Sequence, residues 1–194
     1  MKNSSPVKLV FIIFFLSILI TGYSQNKSSV SKLNNIKKYN PEKPWFIRSY
    51  SGISLNTPEE LELQHNSLPE EYKTLVYDVK MYTHFSDKVD LVVIYYFFKS
   101  NQYNVLNGLK YSMNNAVNKL NGENLEIETE YLGNQNNEIV GTGTFTVNNI
   151  EYIVKAYCYH NGKGEVVLIG CSGEKYGDAE YIRNRIFESI NVRF

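Results

Sequence analysis

The sequence is poor in the residues that build metal sites and disulfide frameworks: 194 residues include 3 histidines and 2 cysteines. The histidines are His65, His84 and His160, and none lies at the i, i+4 or Cys-x-x-Cys spacing that is typical of zinc ligands. We interpret them as isolated surface residues. The sequence therefore assigns no metal ligand.

Net charge is also absent, because 20 Lys and Arg balance 20 Asp and Glu. Binding to the phosphate backbone of nucleic acid requires a clustered excess of basic side chains. A protein built for nonspecific nucleic-acid binding is therefore excluded. The balance is uneven, since residues 25–44 carry five Lys and one Glu, which leaves the chain from residue 45 onward mildly acidic.

The longest apolar run, residues 9–20, is too short to cross a membrane. As a helix it would rise about 18 Å, against roughly 30 Å for the hydrocarbon core. Two lysines precede it, and Gly22 and Ser24 follow it at the positions that signal peptidase reads. We predict a signal peptide over residues 1–24, cleaved after Ser24. The protein is then exported to the periplasm or outside the cell, with no stable membrane anchor.

Residues 25–44 are rich in Asn, Ser and Lys and contain few apolar residues. Such a stretch cannot bury enough apolar area to offset the entropy that ordering costs. We predict a flexible linker over residues 25–44 and a single folded domain over residues 45–194. A domain of this length can bury a core without disulfides or metals.

The first half of the domain reads as strands. Residues 45–50 and 53–55 are short strands that end before Pro58, and residues 59–71 are irregular or form a short helical turn. Residues 72–83 alternate, with Leu75, Tyr77, Val79 and Met81 on one face. Residues 89–98 are apolar on both faces, which predicts an interior strand covered on both sides.

The second half combines helices with a strand meander. Residues 104–121 have apolar positions every three and four residues, which predicts a helix with Gly122 at a left-handed cap. A final helix is predicted from a cap at Asp178 to Ile190. Four strands lie between the helices, over residues 125–131, 139–147, 150–159 and 166–172. The order predicts an α+β fold with an antiparallel sheet covered by two helices.

Three features together resemble the Mog1/PsbP-like family over residues 45–194. They are the aromatic-rich first strand leading into Gly52-Ile53-Ser54-Leu55-Asn56-Thr57-Pro58, the central helix ending at Gly122, and the last helix closing in Phe187-Glu188-Ser189-Ile190. The resemblance implies a three-layer α/β/α sandwich. It also implies a small accessory or binding domain that docks to a larger assembly and is not an enzyme, with no catalytic residues to carry over.

Two glycine motifs superficially suggest catalysis or phosphate binding. Residues 170–174 resemble the nucleophile elbow Gly-x-Ser-x-Gly, but Glu174 replaces the last glycine and no strand-turn-helix is predicted there. Residues 141–145 lie inside a strand pattern and open no helix, as a phosphate loop would. We interpret the glycines over residues 141–145 as a bulge or as close packing against a helix.

Glu126, Glu128 and Glu130 form an acidic row on one strand face. Residues two apart on a strand stand about 6.6 Å apart. A Ca²⁺ or acid–base site is one interpretation of such a row. A solvated face that also discourages sheets from pairing edge to edge explains it better.

Cys158 and Cys171 lie on neighbouring predicted strands. If Gly162 and Lys163 form the loop, the thiols stand about 13 Å apart along the ladder. A three-residue loop ending at Gly164 instead puts them on opposite faces. Only a loop centred after Gly164 would allow a bridge, so we expect no disulfide even though export would permit one.

Two functions from different classes remain open. The favoured one is a non-enzymatic exported domain that binds a protein partner at the cell envelope. The alternative is a small-ligand carrier or an enzyme with a pocket between sheet and helix, using Tyr95 or Tyr96 with a loop histidine. Lys155, Tyr157 and Tyr159 could form an exposed stacking patch, although core packing and composition bias explain them better. The sequence assigns no catalytic residue, no cofactor-binding residue and no cofactor.

Overall fold

The computed structural model describes residues 37–50, 52–64, 73–100, 103–132 and 137–192. Among these residues no helix has the length and apolar character needed to cross a bilayer. The elements, in chain order, are β1 (Phe46–Tyr50), β2 (Ile53–Thr57), β3 (Glu62–Gln64), β4 (Val76–Phe85), β5 (Val89–Phe98), α1 (Val105–Lys119), β6 (Glu123–Leu132), β7 (Glu138–Val147), β8 (Ile150–His160), β9 (Glu165–Glu174), α2 (Asp178–Glu188) and β10 (Asn191–Val192).

Seven strands form one sheet in the order β3-β4-β5-β9-β8-β7-β6. Every neighbouring pair in it is antiparallel. A second, small sheet has the order β1-β2-β10. The β7–β8 hairpin closes through Asn148 and Asn149 with φ of 51° and 65°, the positive values that a tight two-residue turn requires. The predicted α+β class with antiparallel sheets is confirmed.

Both faces of β5 are covered, as its sequence predicts. Val93 lies in one core cluster together with Ile182 of α2, and Ile94 lies in another together with Leu109 of α1. Both β5 residues are fully buried. Because successive residues of a strand point to opposite faces, one helix packs on each face of the large sheet.

Glycines in β7 let α1 approach the sheet closely. A Cβ on Gly141 would lie 2.6 Å from Leu109 Cδ2 and 2.7 Å from Met113 Sδ, and a Cβ on Gly143 would lie 3.2 Å from Met113 Cε. The interpretation of these glycines as sites of close helix packing is confirmed.

Helix α1 ends differently from the prediction. Asn104 caps its start by accepting the Asn107 N–H at 2.9 Å. The left-handed residue after its last turn is Asn121, with φ of 53°, and Gly122 is not in that conformation. Asparagine is the usual substitute for glycine there. Gly122 is needed for space, since a Cβ on it would lie 2.5 Å from the Phe145 ring.

Helix α2 also departs from the prediction at both ends. Gly177 is the N-cap residue, and it has no side chain with which to cap the helix, whereas Asp178 is already the first helical residue. The predicted capping role of Asp178 is therefore wrong. The helix ends before Ser189 and does not reach Ile190. Ser189 Oγ accepts the Asn56 N–H at 2.8 Å, and the chain then pairs with β2 as β10.

A bulge changes the predicted faces of β4. The register shifts between Val76 and Asp78, so the residue between them does not follow the alternation. Tyr77 is 61% exposed and packs on the Phe97 ring at 5.6 Å, whereas Met81 is buried in the opposite cluster. Placing Tyr77 and Met81 on one face is therefore wrong.

Some predictions lie partly or wholly outside the described residues. Residues 62–64, within a stretch predicted to be irregular, form β3, which is too short to show an alternating pattern. His65, residues 66–71 of that stretch and the predicted signal peptide over residues 1–24 are outside the described residues.

The predicted linker over residues 25–44 is described from Lys37 onward, and this part contacts the domain. Lys37 Nζ lies 2.9 Å from Glu62 Oε1, and Lys43 Nζ lies 2.6 Å from Glu59 Oε1. Exposed ion pairs of this kind contribute about 0–1 kcal/mol each. The described part of the predicted linker thus contacts the acidic side chains after β2 through Lys37 and Lys43.

Pairing of β8 with β9 separates the two cysteines. Cys158 stands opposite Leu168 and Cys171 stands opposite Lys155, which places the thiols on opposite faces of the sheet, in different core clusters. Both cysteines are free and buried. Burial raises the pKa of each thiol to about 12.

Gly141→Ala is expected to lower the free energy of unfolding by about 1–3 kcal/mol, because the added methyl group overpacks a filled site. Gly170→Ala in β9 is the matched control, since a Cβ there meets no atom within 4 Å. Urea denaturation of both variants measures the difference. Equal stability of the two variants would show that α1 does not approach β7 this closely.

Candidate functional site

The two helices cover different parts of the large sheet. Helix α1 packs across β6, β7, β8 and β9 on one face, whereas α2 packs on β9 and β5 of the other face and on β2. Within the described residues, no helix lies over β6 and β7 on the α2 side. We call this surface the open face. It comprises Glu126, Glu128 and Glu130 of β6, Val140, Thr142 and Thr144 of β7, and Ile153 and Lys155 of β8.

Polar groups stand in register across the open face. Thr142 pairs with Glu128 on one side and with Lys155 on the other. A carboxylate, a hydroxyl and an ammonium group therefore share one row about 10 Å long. The row follows from the β7 sequence, in which Thr142 alternates with Gly141 and Gly143, and the glycines face α1.

The acidic row is the outer border of the open face. Glu126, Glu128 and Glu130 are all exposed. In the part of the chain that the structure describes, the ion pairs involve other carboxylates, those of Glu59, Glu62 and two more residues. The border thus presents three carboxylates to solvent, on the strand that forms the sheet edge.

Lys155 and Tyr157 do not form the exposed stacking patch. Tyr157 is 5% exposed, and its hydroxyl donates to Glu138 Oε2 at 3.0 Å. Burial raises its pKa, and the Glu138 carboxylate raises that pKa further. Lys155 Nζ lies 5.0 Å from the centre of the Phe187 ring of α2. Tyr157 is therefore part of the core. Lys155 forms the border of the open face that lies next to α2.

Tyr95 and Tyr96 point to opposite faces of the sheet. Tyr96 shares a cross-strand row with Val166 and His160, so two strand spacings, about 10 Å, separate it from that histidine. Burial raises the pKa of both tyrosines. Their hydroxyls therefore stay protonated at neutral pH, which does not suit a general base.

A small cavity lies beneath the first turn of α1. Its volume is about 20 Å³, and its lining includes Tyr96, Phe98, Tyr103 and Cys158 but no carboxylate, amine or imidazole group. This space suits about one water-sized molecule. Ligand pockets are typically about 300–1,000 Å³. The cavity does not provide the pocket that an enzyme or ligand carrier requires.

The two described histidines differ in setting. His84 is 5% exposed, which corrects its interpretation as a surface residue, because it faces the α2 side of β4 opposite Leu91. Burial lowers its pKa, and the nearby Glu59 carboxylate partly opposes that effect. His160 packs edge-on against Tyr103 at 5.8 Å. The described residues include no group of three His, Cys, Asp or Glu side chains that could hold a metal ion.

Both glycine motifs lie within strands. Residues 141–145 are part of β7, and residues 170–174 end β9, with α2 starting only at Asp178. Sequence reasoning did not identify Thr142 and Thr144 as part of a surface. The alternation of glycine with threonine was the available signal, since the small residue marks the helix side and the hydroxyl marks the open side.

Comparison with known proteins found similarity in structure. No family model and no curated protein matches the chain. The Saccharomyces cerevisiae Ran-binding protein Mog1p is similar with a TM-score of 0.41 and 9% identity, covering 78% of this chain and 96% of that one. LpqN of Mycobacterium tuberculosis, involved in cell envelope biogenesis, has a TM-score of 0.37 and 11% identity, covering 78% and 90%. Both have the fold type that the sequence resembles, and the similarity is one of fold alone.

Acid is expected to destabilise the domain through His84. In the unfolded chain a histidine gains its proton near pH 6.5, whereas the lowered pKa of buried His84 keeps it neutral in the folded state. Burial of neutral His84 therefore contributes to the free energy of unfolding above about pH 6.5. That contribution is lost as the pH falls through the lower pKa of the folded state. Urea denaturation between pH 8 and pH 5 should show that the free energy of unfolding declines in the parent. The decline should be smaller in His84→Gln and unchanged in the control His160→Gln. An unchanged decline in His84→Gln would contradict this assignment.

Proposed function

We propose that this chain is an exported, non-enzymatic binding domain that docks to a protein at the cell envelope through the open face. In this proposal residues 1–24 are removed on export, residues 25–44 lead to the domain, and residues 45–194 form a three-layer α/β/α sandwich of the Mog1/PsbP-like type. The observation that carries the proposal is the offset between α1 and α2, because of which no helix of the described residues lies over the α2 side of β6 and β7.

The composition of the open face supports docking. Thr142 stands at its centre, between Glu128 and Lys155 at the two borders. The half-buried side chains of Val140 and Ile153 lie beside Thr142, on β7 and β8. A protein interface commonly combines apolar side chains with a polar and charged rim. The Lys155 border adjoins the Phe187 ring of α2, which gives a partner a second element to contact.

The alternative function, a small-ligand carrier or an enzyme with a pocket between sheet and helix, has weaker support. The cavity beneath α1 has room for about one water-sized molecule, and its lining carries no charged side chain. The open face spans three strands instead, which favours recognition of a macromolecule.

Thr142→Arg tests the docking surface by placing a long cation at its centre. Capture of envelope proteins by the tagged domain, with quantitative mass spectrometry, is expected to recover the partner from the parent and about tenfold less from Thr142→Arg, a loss of about 1.4 kcal/mol. Asn118→Arg on the exposed side of α1 is the matched control and should capture as the parent does. Equal capture by both variants, or no specific capture by the parent, would contradict the proposal.

A further inference from the structure

We propose, building on the docking function above, that the partner contributes an extended segment in which Lys or Arg alternates with apolar residues. This segment adds to the large sheet as a further strand beside β6. The inference depends on the open backbone edge of β6, on the spacing of its carboxylates and on the side chains of its opposite face.

Among the described residues, strand β6 is the edge of the seven-stranded sheet and has β7 as its one paired neighbour. It is ten residues long, and its register with β7 is regular from Glu126 to Leu132. A strand at a sheet edge presents unpaired N–H and C=O groups that another segment can bond. Strand addition at such an edge is a common way for a domain to bind a peptide segment.

The direction of each backbone group in β6 follows from the β7–β8 hairpin. A two-residue turn makes Val147 and Ile150 a hydrogen-bonded pair, and such pairs alternate along an antiparallel ladder. The odd-numbered residues of β7 therefore bond β8, and its even-numbered residues bond β6. The glutamates opposite those even-numbered residues direct their backbone groups inward. Ile127, Thr129 and Tyr131 direct theirs outward, toward an incoming strand.

The charge of the edge specifies the incoming side chains. The carboxylates of Glu126, Glu128 and Glu130 repeat about every 6.6 Å along the strand, which is also the spacing of Lys or Arg at every second residue of an extended segment. In an antiparallel addition the glutamates would stand in non-hydrogen-bonded pairs, where side chains approach most closely. Opposite charges at such positions stabilise strand pairing.

The side chains on the other face of β6 specify the residues that alternate with the basic ones in the incoming segment. Ile127 is half-buried and Tyr131 is 46% exposed on the α1 side. A neighbouring strand with apolar side chains there would cover both, since aromatic and β-branched residues pair favourably across strands. The segment that fits the edge thus alternates a basic residue with an apolar one.

A second copy of this chain does not fit the same edge. Antiparallel pairing of β6 with β6 of another copy keeps the two acidic rows on one face, so glutamate would stand opposite glutamate. Like charges directly opposite each other destabilise strand pairing. Charge complementarity therefore selects a basic segment as the occupant.

The test uses a fluorescent nine-residue peptide of alternating Lys and Val and the protein without its predicted signal peptide, with binding measured by anisotropy. The parent is expected to bind this peptide at least about tenfold more tightly than a peptide of the same composition with its lysines contiguous. Thr129→Pro removes an outward N–H at a position where an edge strand tolerates proline. It should weaken binding at least about tenfold, whereas Thr129→Ala, which keeps the N–H, should bind as the parent does.

A second variant keeps the test independent of how Thr129→Pro folds. Replacement of Glu126, Glu128 and Glu130 by Gln should weaken binding at least about tenfold and remove most of its dependence on salt concentration. Equal binding of both peptides, full binding by the glutamine variant, or unchanged binding by folded Thr129→Pro would overturn the inference. Dimers of the parent that Thr129→Pro abolishes would overturn it in favour of a second copy.

The partner capture described above separates the two proposals. Loss of capture in Thr142→Arg together with full capture by Thr129→Pro would leave the docking function intact and overturn strand addition. Full capture by both variants would overturn both.

Discussion

The requirement to cover both faces of β5 determines the rest of the architecture. Its residues are apolar on each side, and Val93 and Ile94 are fully buried in different clusters. On one face the cover includes Ile53 and Leu55 of β2. The two helices that pack on the faces have 15 and 11 residues and are about 22 and 17 Å long. Six strand spacings make the sheet about 29 Å wide. Neither helix can cover a whole face, so each leaves strands exposed.

The polarity of β6 and β7 follows from where that cover ends. The α1 side of β7 needs glycine, because Leu109 and Met113 pack on the backbone of Gly141. The α2 side of β6 and β7 has no helix over it in the described ranges, and it carries threonine on β7 and glutamate on β6. A polar row is the expected composition of a solvated sheet face. The same row gives the sheet edge a sign of charge, on which the proposed selection of a basic partner segment depends.

The sequence could predict the elements that are determined by residues close together along the chain. The two apolar faces of β5, the periodicity of α1 and the turn at Asn148-Asn149 each depend on neighbouring residues, and the structure has all three. The errors have tertiary causes. The end of α2 depends on a hydrogen bond from distant Asn56, and the burial of His84 depends on what lies over the α2 side of β4.

The location of the open face could not be predicted from the sequence for a related reason. Alternation shows which face of a strand is polar, as it did for the glutamates of β6. It does not show which strands lie beneath a helix, because that depends on the lateral position of α2 on the sheet. The pairing of β7 with β8 further sets which backbone groups of β6 point outward, and this register becomes clear only once the sheet order is known.

Residue-resolved amide hydrogen exchange of the unbound domain tests the central claim most directly. If β6 is an open edge with the register described here, the amides of Glu126, Glu128 and Glu130 exchange slowly, because they bond β7. Those of Ile127, Thr129 and Tyr131 exchange rapidly, because they face solvent. Slow exchange along all of β6 would show that another element already occupies the edge and would contradict the account.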